Sequence, residues 1–169
     1  MKQMLKHCGY TLIEILVVLL IISIVSSVAL LSIHRNENKE IEIFANNIAQ
    51  TIQLASEQAM LQPMILGLAL DNRGFYFSRL QINPQGEEDW LLMKDSILSR
   101  QSVPSNIEVR MDIAGSRWFA AKDEKNPPII ISTNGDFTPF TIYIGKKGEK
   151  PKYAISGKAN GQITNKILL

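Results

Sequence analysis

The feature that most constrains this chain is an apolar run near its amino terminus. The 19 residues from Ile15 through Ile33 carry no charge and are mostly Leu, Ile and Val. A helix rises about 1.5 Å per residue, so this run would be about 28 Å long, close to the hydrocarbon thickness of a bilayer. The sequence therefore predicts a membrane-spanning or similarly buried helix rather than a purely soluble protein.

Charges on either side of the run predict its orientation. Residues 1–9 contain two lysines and no acid, whereas residues 35–42 contain two bases and three acids. The positive-inside bias places the amino terminus in the cytoplasm and the rest of the chain on the far side of the membrane. A secretory signal peptide is the alternative. Against it, the run is longer than a usual signal core, Glu14 interrupts its start, and no clear small-residue cleavage site follows it.

The residues that lead into the run form a motif. Gly9, Tyr10 and Thr11 are followed by Leu-Ile, by Glu14, and at once by the apolar residues. After a short basic leader, this arrangement closely resembles the class III signal of type IV pilins and type II secretion pseudopilins, although Tyr10 stands where that family usually has Phe. The resemblance implies that a prepilin peptidase cuts after Gly9 on the cytoplasmic side and methylates the new amino terminus at Tyr10. It also implies that the apolar helix stays on the mature protein.

Loss of residues 1–9 would change what the chain can do chemically. The mature chain would have 160 residues, with 16 bases, 16 acids, one histidine and no cysteine. No disulfide is then possible, so packing or assembly partners must hold the domain together. A Cys/His metal cluster and a Ser–His–Asp triad are both poorly supported, because the one histidine, His34, stands next to the apolar run. We therefore expect no enzyme activity, no catalytic residue, no metal site and no cofactor.

Past the apolar run, a helical pattern continues with one apolar face and one polar face. Neither Gly nor Pro occurs between Tyr10 and Gln62, and Pro63 follows, which predicts one helix from about Leu12 to Leu61. Two helices broken at residues 36–38 are the alternative. The stripe expected to face a core consists of Ile41, Ala45, Ile48, Ile52, Ala55 and Ala59, with Phe44 and Ala49 beside it.

The remainder of the chain predicts antiparallel strands and turns. Asp71-Asn72-Arg73-Gly74 predicts a hairpin turn in which the glycine supplies a positive φ. The strands expected are Ile65–Leu70, Phe75–Leu80, Trp90–Met93, Ile107–Ile113, Ile129–Ser132, Thr138–Ile144, Lys152–Ser156 and Gln162–Leu168. The predicted fold class is α+β: a long amino-terminal helix, membrane-spanning in its first half and amphipathic in its second, packed on the antiparallel β-sheet of a carboxy-terminal globular domain.

These patterns divide the chain into four segments. Residues 1–9 are the leader, 10–33 a transmembrane or filament-core helix, 34–62 an amphipathic helix continuing into the domain, and 63–169 the β-rich domain. The expected location is the inner membrane, crossed once, with the amino terminus cytoplasmic before assembly and the globular domain periplasmic.

A second resemblance lies in the carboxy-terminal strands. After the turn at Asn134, the segment Thr138–Phe140 begins a strand, and Tyr153–Ile155 and Gly161–Ile163 follow. This succession is similar to that of the H-type minor pseudopilin, a group that also includes minor pilins of type IV pili. The resemblance implies a structural subunit at or near the tip of the periplasmic pseudopilus of a type II secretion system. Its implied partners are other minor and major pseudopilins, the prepilin peptidase and the inner-membrane secretion platform. A minor pilin of a type IV pilus with a DNA-contacting face is the alternative.

Three surface features have competing interpretations. DNA contact would need Lys and Arg side chains clustered on one face. Lysines in hairpins more often discourage pairing between exposed strand edges, so we do not expect nucleic-acid binding. The acidic run Glu87–Asp89 is more simply a solvated loop than a cation site. Trp90 is expected in the core, while for Trp118 a core role and an interface role are both open. The lysines concerned are Lys146, Lys147, Lys150, Lys152, Lys158 and Lys166.

Glu14 is the candidate assembly residue. A carboxylate costs about 2.5–3.5 kcal/mol at the centre of a bilayer, so such residues usually have a partner. The nearest cation in the mature chain would be the α-amino group at Tyr10, of the same subunit or of an adjacent one. The alternative is a glutamate that favours a helix amino terminus through the macrodipole, which contributes about 0.3–1 kcal/mol and needs no neighbour.

Overall fold

The computed structural model describes residues 11–118 and 126–168, and for residues 28–37 only the helical backbone. The chain forms two compact units, Met1–Glu40 and Ile41–Leu169. Helix α1 extends from Leu12 to Leu61, as the sequence predicts, and it is not broken at residues 36–38. The two-helix alternative is therefore wrong.

Nine strands follow the helix within the described residues, and every pairing between them is antiparallel. Sheet 1 has the order β3-β2-β1-β6, and sheet 2 has the order β5-β4-β7-β8-β9. This architecture confirms the α+β class. The strands are β1 (Leu66–Asp71), β2 (Gly74–Ile82), β3 (Glu88–Leu92), β4 (Ile107–Ile113), β5 (Ser116–Trp118), β6 (Ile129–Ile131), β7 (Phe140–Lys146), β8 (Tyr153–Gly157) and β9 (Ile163–Ile167).

The division into two sheets differs from the single sheet that the sequence predicts. β6 pairs with β1, whereas β7 pairs with β4 and β8. An isolated bridge between Ile131 and Phe137 pairs β6 only with the segment that leads into β7. Pro139 has no N–H to donate and directly precedes β7, so the ladder with β6 ends there. Alternation of apolar and polar residues identifies strands, but it does not say which strand pairs with which.

The core of the second unit combines one face of the helix with one face of each sheet. All six helix residues predicted to face the core are at most 2% exposed, and Phe44 and Ala49 pack beside them. Sheet 1 contributes Leu66, Leu68, Phe75, Phe77, Ile129 and Ile131, and sheet 2 contributes Ile107, Met111, Phe140, Ile142, Ile144 and Ile155. The recurrence of apolar residues at alternating intervals of four and three positions thus predicts the packing face of the helix correctly.

The segment between β3 and β4 is tied to both the helix and sheet 1. Leu98 is fully buried, and the Asp95 carboxylate accepts a hydrogen bond from its backbone N–H. Gln101 forms a bridge with Phe75 at the edge of sheet 1, and its side-chain amide donates to Thr51 Oγ1 on α1 at 2.9 Å. These contacts fix the chain where it passes from one sheet to the other.

The β1–β2 turn confirms the predicted hairpin and carries an ion pair. Gly74 has a φ of +126°, and the Asp71 carboxylate accepts a hydrogen bond from the N–H of Arg73 at 2.8 Å. Arg100 donates to the same carboxylate and lies 4.5 Å from the ring centroid of Tyr76. Burial alone would raise the pKa of Asp71, but the hydrogen bonds and the charge of Arg100 outweigh it and leave that pKa below its usual value.

Candidate assembly surfaces

The start of α1 is capped by a side chain. Thr11 Oγ1 accepts a hydrogen bond from the backbone N–H of Glu14 at 3.3 Å, and the Thr11 carbonyl accepts from Glu14 and Ile15. Thr11 is therefore the N-cap, and Glu14 occupies the third helical position, as in a capping box. The Glu14 side chain is exposed within the chain. Its carboxylate is accessible at the beginning of the apolar helix, where an intermolecular contact would need it.

The apolar part of α1 finds no packing partner among the described residues. From Leu12 to Val25 the large apolar side chains are 45–85% exposed on all sides of the helix. Ser23 and Ser27 donate their hydroxyls to the carbonyls of Leu19 and Ser23, both at 2.8 Å, so these polar groups are satisfied within the helix. Such a surface suits an apolar environment supplied from outside the chain.

No helix in the described part of the chain, which leaves out the side chains of residues 28–37, is long and apolar enough to cross a membrane.

Two of the three predicted site residues, Gly9 and Tyr10, lie outside the described residues. The predicted pairing of Glu14 with the α-amino group at Tyr10 falls on them too and stays a prediction.

The outward face of α1 in the second unit carries apolar residues, although the sequence pattern predicts a polar face there. Ile43 is 48% exposed, Leu54 is 43% exposed, and Leu61 is more exposed than either. They alternate with Asn47, Gln50 and Glu57 at helical spacing. Counting the apolar residues outside the main stripe would have found them, because each falls on the side of the helix opposite to Ile41 and Ile52.

The six carboxy-terminal lysines divide between the two ends of sheet 2. Residues 146–152 connect β7 to β8 at one end, where Ile144 pairs with Tyr153, and Lys166 on β9 lies next to that end. Lys158 follows β8 at the other end, about 13 Å of strand away. Five of the six lysines are therefore grouped, and the sixth is separate. Four of the grouped lysines are neighbours in the sequence, and only the pairing of β8 with β9 adds Lys166 to them.

The aromatic and acidic candidates have simple placements. Trp90 is half-buried on the edge strand β3, outside the main core, where its ring and Pro127 cover Gly67 so closely that a Cβ there would clash. The prediction of a core position for Trp90 is therefore wrong, because β3 presents this side chain to the outer face of sheet 1. The partly buried side chain of Trp118, on strand β5, packs against the core. The acidic run Glu87–Asp89 is exposed, as expected, but Glu88 and Asp89 lie on strand β3 rather than in a loop.

The described residues hold no group of three or more His, Cys, Asp or Glu side chains placed to bind a metal ion. The arrangements found instead are exposed surfaces: the capped helix start, the outward apolar residues of α1, and the lysine-rich end of sheet 2.

Two family models match the chain in tandem. A model of the prokaryotic N-terminal methylation motif matches residues 4–30, and a model of the type II transport protein GspH matches residues 45–161. The second match covers more than half of the chain and includes eight of the nine strands in full. The chain belongs to the GspH family. This membership favours type II secretion over the type IV pilus alternative.

Two relatives align with nearly the whole chain. The type II secretion system protein H of Aeromonas hydrophila is 24% identical over 166 residues, which cover 92% of this chain and 90% of that protein. The protein of the same name from Pseudomonas aeruginosa is 26% identical over 164 residues, covering 90% of this chain and 91% of the relative.

Solved structures of the GspH family share the fold. The minor pseudopilin EpsH from the type 2 secretion system of Vibrio cholerae matches with a TM-score of 0.63 at 22% identity, over 75% of this chain and 94% of EpsH. The solution structure of E. coli GspH matches with a TM-score of 0.56 at 14% identity, over 73% of this chain and 84% of that one. The long helix packed on antiparallel sheets is thus the GspH fold.

Proposed function

We propose that this chain is a minor pseudopilin that acts as a structural subunit at or near the tip of the periplasmic pseudopilus of a type II secretion system. The observation that carries the proposal is the tandem of a methylation motif and a GspH domain in one chain, at residues 4–30 and 45–161. The GspH family is a family of structural pseudopilins rather than of known enzymes. The chain would therefore act through assembly with other minor and major pseudopilins and with the inner-membrane secretion platform.

Processing of the amino terminus is the first step of the proposal. The prepilin peptidase removes residues 1–9 by cutting after Gly9, and the new amino terminus at Tyr10 is methylated. Residues 10–33 anchor the chain in the inner membrane with the amino terminus cytoplasmic, and residues 34–62 continue the helix into the periplasmic domain, residues 63–169. The uncharged run and the basic leader support this orientation.

Glu14 is the proposed assembly residue. In the mature subunit its carboxylate stands one turn from the chain start, on a helix whose apolar side chains have no partner among the described residues. Thr11 already caps this helix start, so the backbone does not depend on the carboxylate alone. Pairing of Glu14 with the α-amino group at Tyr10 of an adjacent subunit would be strong in apolar surroundings and would select the correct axial register.

Replacement of the glycine at the cleavage site tests the proposal. In Gly9→Leu the leader should stay attached and secretion should not be restored in a strain that lacks this chain, because the peptidase must reach an extended backbone beside a small residue. Mass spectrometry of the membrane-bound protein measures the cleavage. Gly9→Ala is the matched control and should retain partial processing. A mature amino terminus at Tyr10 in Gly9→Leu would contradict the proposed processing.

A further inference from the structure

Within the described residues, a dense group of positive charge lies at the turn between β7 and β8, here named the lysine turn and defined as residues 146–152. These seven residues contain four lysines and one glutamate. The backbone of the turn is fixed: the N–H of Lys147 donates to the Asn106 carbonyl, and the N–H of Glu149 donates to the Lys146 carbonyl. A Cβ on Gly145 would clash with Pro151, so the turn is folded tightly against its own strand.

The carboxylates near the lysine turn do not neutralise Lys147 and Lys150. Glu149 lies 3.6 Å from Lys146, and Glu108 accepts a hydrogen bond from the N–H of Gly148 at 3.2 Å. Lys147 and Lys150 are exposed, and no residue in the described ranges forms an ion pair with either of them. The exposed Lys166 on neighbouring β9 extends the same positive surface.

The lysine turn lies at the end of the domain where the helix enters it. Asn165 on β9 donates to Asn46 on α1 at 2.9 Å, near the first residue of the second unit, Ile41. The opposite end of sheet 2 approaches the end of the helix, because Gly161 lies against Gly135 and Gly135 lies against Met60. In the sequence, only seven residues separate Ile41 from the uncharged run that ends at Ile33.

We propose that the lysine turn binds the anionic phospholipid head groups of the membrane in which the chain is anchored, before the subunit enters the filament. This inference rests on the proposed membrane anchor, which tethers the domain next to a lipid surface at high effective concentration. Lysines near an anionic surface are attracted to it within about one Debye length, roughly 8 Å at physiological salt. The lysine turn orients the domain on the membrane, and extraction of the subunit into the filament releases it.

Lysine reactivity in vesicles measures this contact without any amino-acid substitution, provided that acetylation is kept to a small fraction of the lysines. The full chain is reconstituted into vesicles of phosphatidylcholine alone, or with about one quarter phosphatidylglycerol to give a negative surface, and lysine acetylation is followed by mass spectrometry. We expect Lys147 and Lys150 to react about threefold more slowly in the anionic vesicles, and this protection to disappear in about 0.5 M salt. Lys158 is the internal control, because it is exposed at the opposite end of the same sheet, and its reactivity should not change.

Charge-reversal variants distinguish binding through the lysine turn from a general attraction of the whole domain to anionic vesicles. In Lys147→Glu combined with Lys150→Glu, Lys166 should lose its protection in anionic vesicles, whereas Lys158→Glu should leave the protection of Lys147 unchanged. Flotation of the vesicles checks the anchor separately: a chain that does not float with either lipid contradicts the proposed anchor and this inference with it.

Two outcomes would overturn the inference while leaving the anchor intact. The first is a chain that floats with both vesicles but shows equal reactivity of Lys147 and Lys150 in the two lipids. The second is protection that rises with the protein-to-lipid ratio in phosphatidylcholine alone, since that result assigns the lysine turn to the acidic surface of a neighbouring copy.

Discussion

The two halves of α1 have the same backbone conformation and opposite relations to the rest of the chain. Between Ile41 and Ala59, apolar residues recur on one side of the helix and are buried by the sheets of the same chain. Between Leu12 and Val25, apolar residues occupy every side and remain exposed. The difference shows that helical periodicity reports where a packing partner lies. A stripe predicts a partner within the chain, whereas an all-round apolar surface predicts partners outside it.

The polar groups of the two halves show the same contrast. In the first half, Ser23 and Ser27 hydrogen-bond to carbonyls of their own helix. In the second half, Thr51 also donates to its own helix, at the Asn47 carbonyl, but it accepts a hydrogen bond from Gln101, and Ser56 donates to the carbonyl of Gly135 at 3.3 Å. These two side chains of the second half thus help to fix the domain, whereas Ser23 and Ser27 bond only within their own helix.

Separating the two halves should have the largest effect. A chain that begins at about Arg35 keeps the whole second unit, Ile41–Leu169. We expect it to be soluble, folded and monomeric, and to restore no secretion, because it lacks every residue proposed for anchoring and assembly. Size-exclusion chromatography, circular dichroism and a secretion assay measure the three properties. Insoluble aggregate in every such truncation would mean that the domain depends on a partner.

Two residues close together on the second half of α1 test which face of the helix packs against the core. Ile52 is 1% exposed and Leu54 is 43% exposed. Ile52→Ala should cost about 2–5 kcal/mol in the free energy of unfolding, because it leaves a cavity in the core. Leu54→Ala should change that free energy by no more than about 0.5 kcal/mol. Urea unfolding of the truncated domain compares the two, and equal losses would show that the packing face is assigned wrongly.

The Asp71–Arg100 ion pair should have a smaller and pH-dependent effect. Asp71→Asn keeps an acceptor for the N–H of Arg73 but removes the charge, and we expect a loss of about 0.5–1 kcal/mol, since both side chains are partly exposed and screened. The folded-state pKa of Asp71 is lowered. The stability that the ionised Asp71 carboxylate contributes is therefore present above the ordinary carboxyl pKa, about 3.9. It is lost as the pH falls through the lower pKa of the folded state. The free energies of unfolding of the unaltered domain and of Asp71→Asn should therefore differ at pH 7 and should be similar near pH 2.

Much of the fold could be predicted because its signals are local. The helix bounds follow from Pro63 and from the absence of Gly and Pro before it, and the β1–β2 hairpin follows from Gly74. Strand β5 was not predicted, since its three residues, Ser116–Trp118, are too few to show alternation. The pairing of β6 with β1 instead of β7 depends on contacts far apart in sequence, which a period-two pattern does not encode.

The candidate surfaces were less predictable for the same reason. The sequence contains the capping interaction of Thr11 with Glu14 as a Thr-x-x-Glu motif, which the interpretation of Glu14 as an assembly residue does not include. The grouping of five lysines arises only when β7, β8 and β9 pair, because Lys166 is distant from Lys147 along the chain. The exposed Ile43 and Leu54 are hard to recognise from the sequence, because a longer apolar stripe lies on the opposite side of the same helix.

If the first half of α1 works through other subunits, replacement of Glu14 should impair assembly. The measurement is the fraction of processed subunit that crosslinks to neighbouring pseudopilins in assembled filaments. We expect Glu14→Leu to be cleaved normally but to be incorporated poorly, and Glu14→Asp to be partly tolerated. Thr11→Ala, which removes the cap and keeps the carboxylate, should be incorporated nearly as well as the unaltered chain. Normal incorporation and full secretion with Glu14→Leu would show that the carboxylate is dispensable for assembly and would contradict its proposed role.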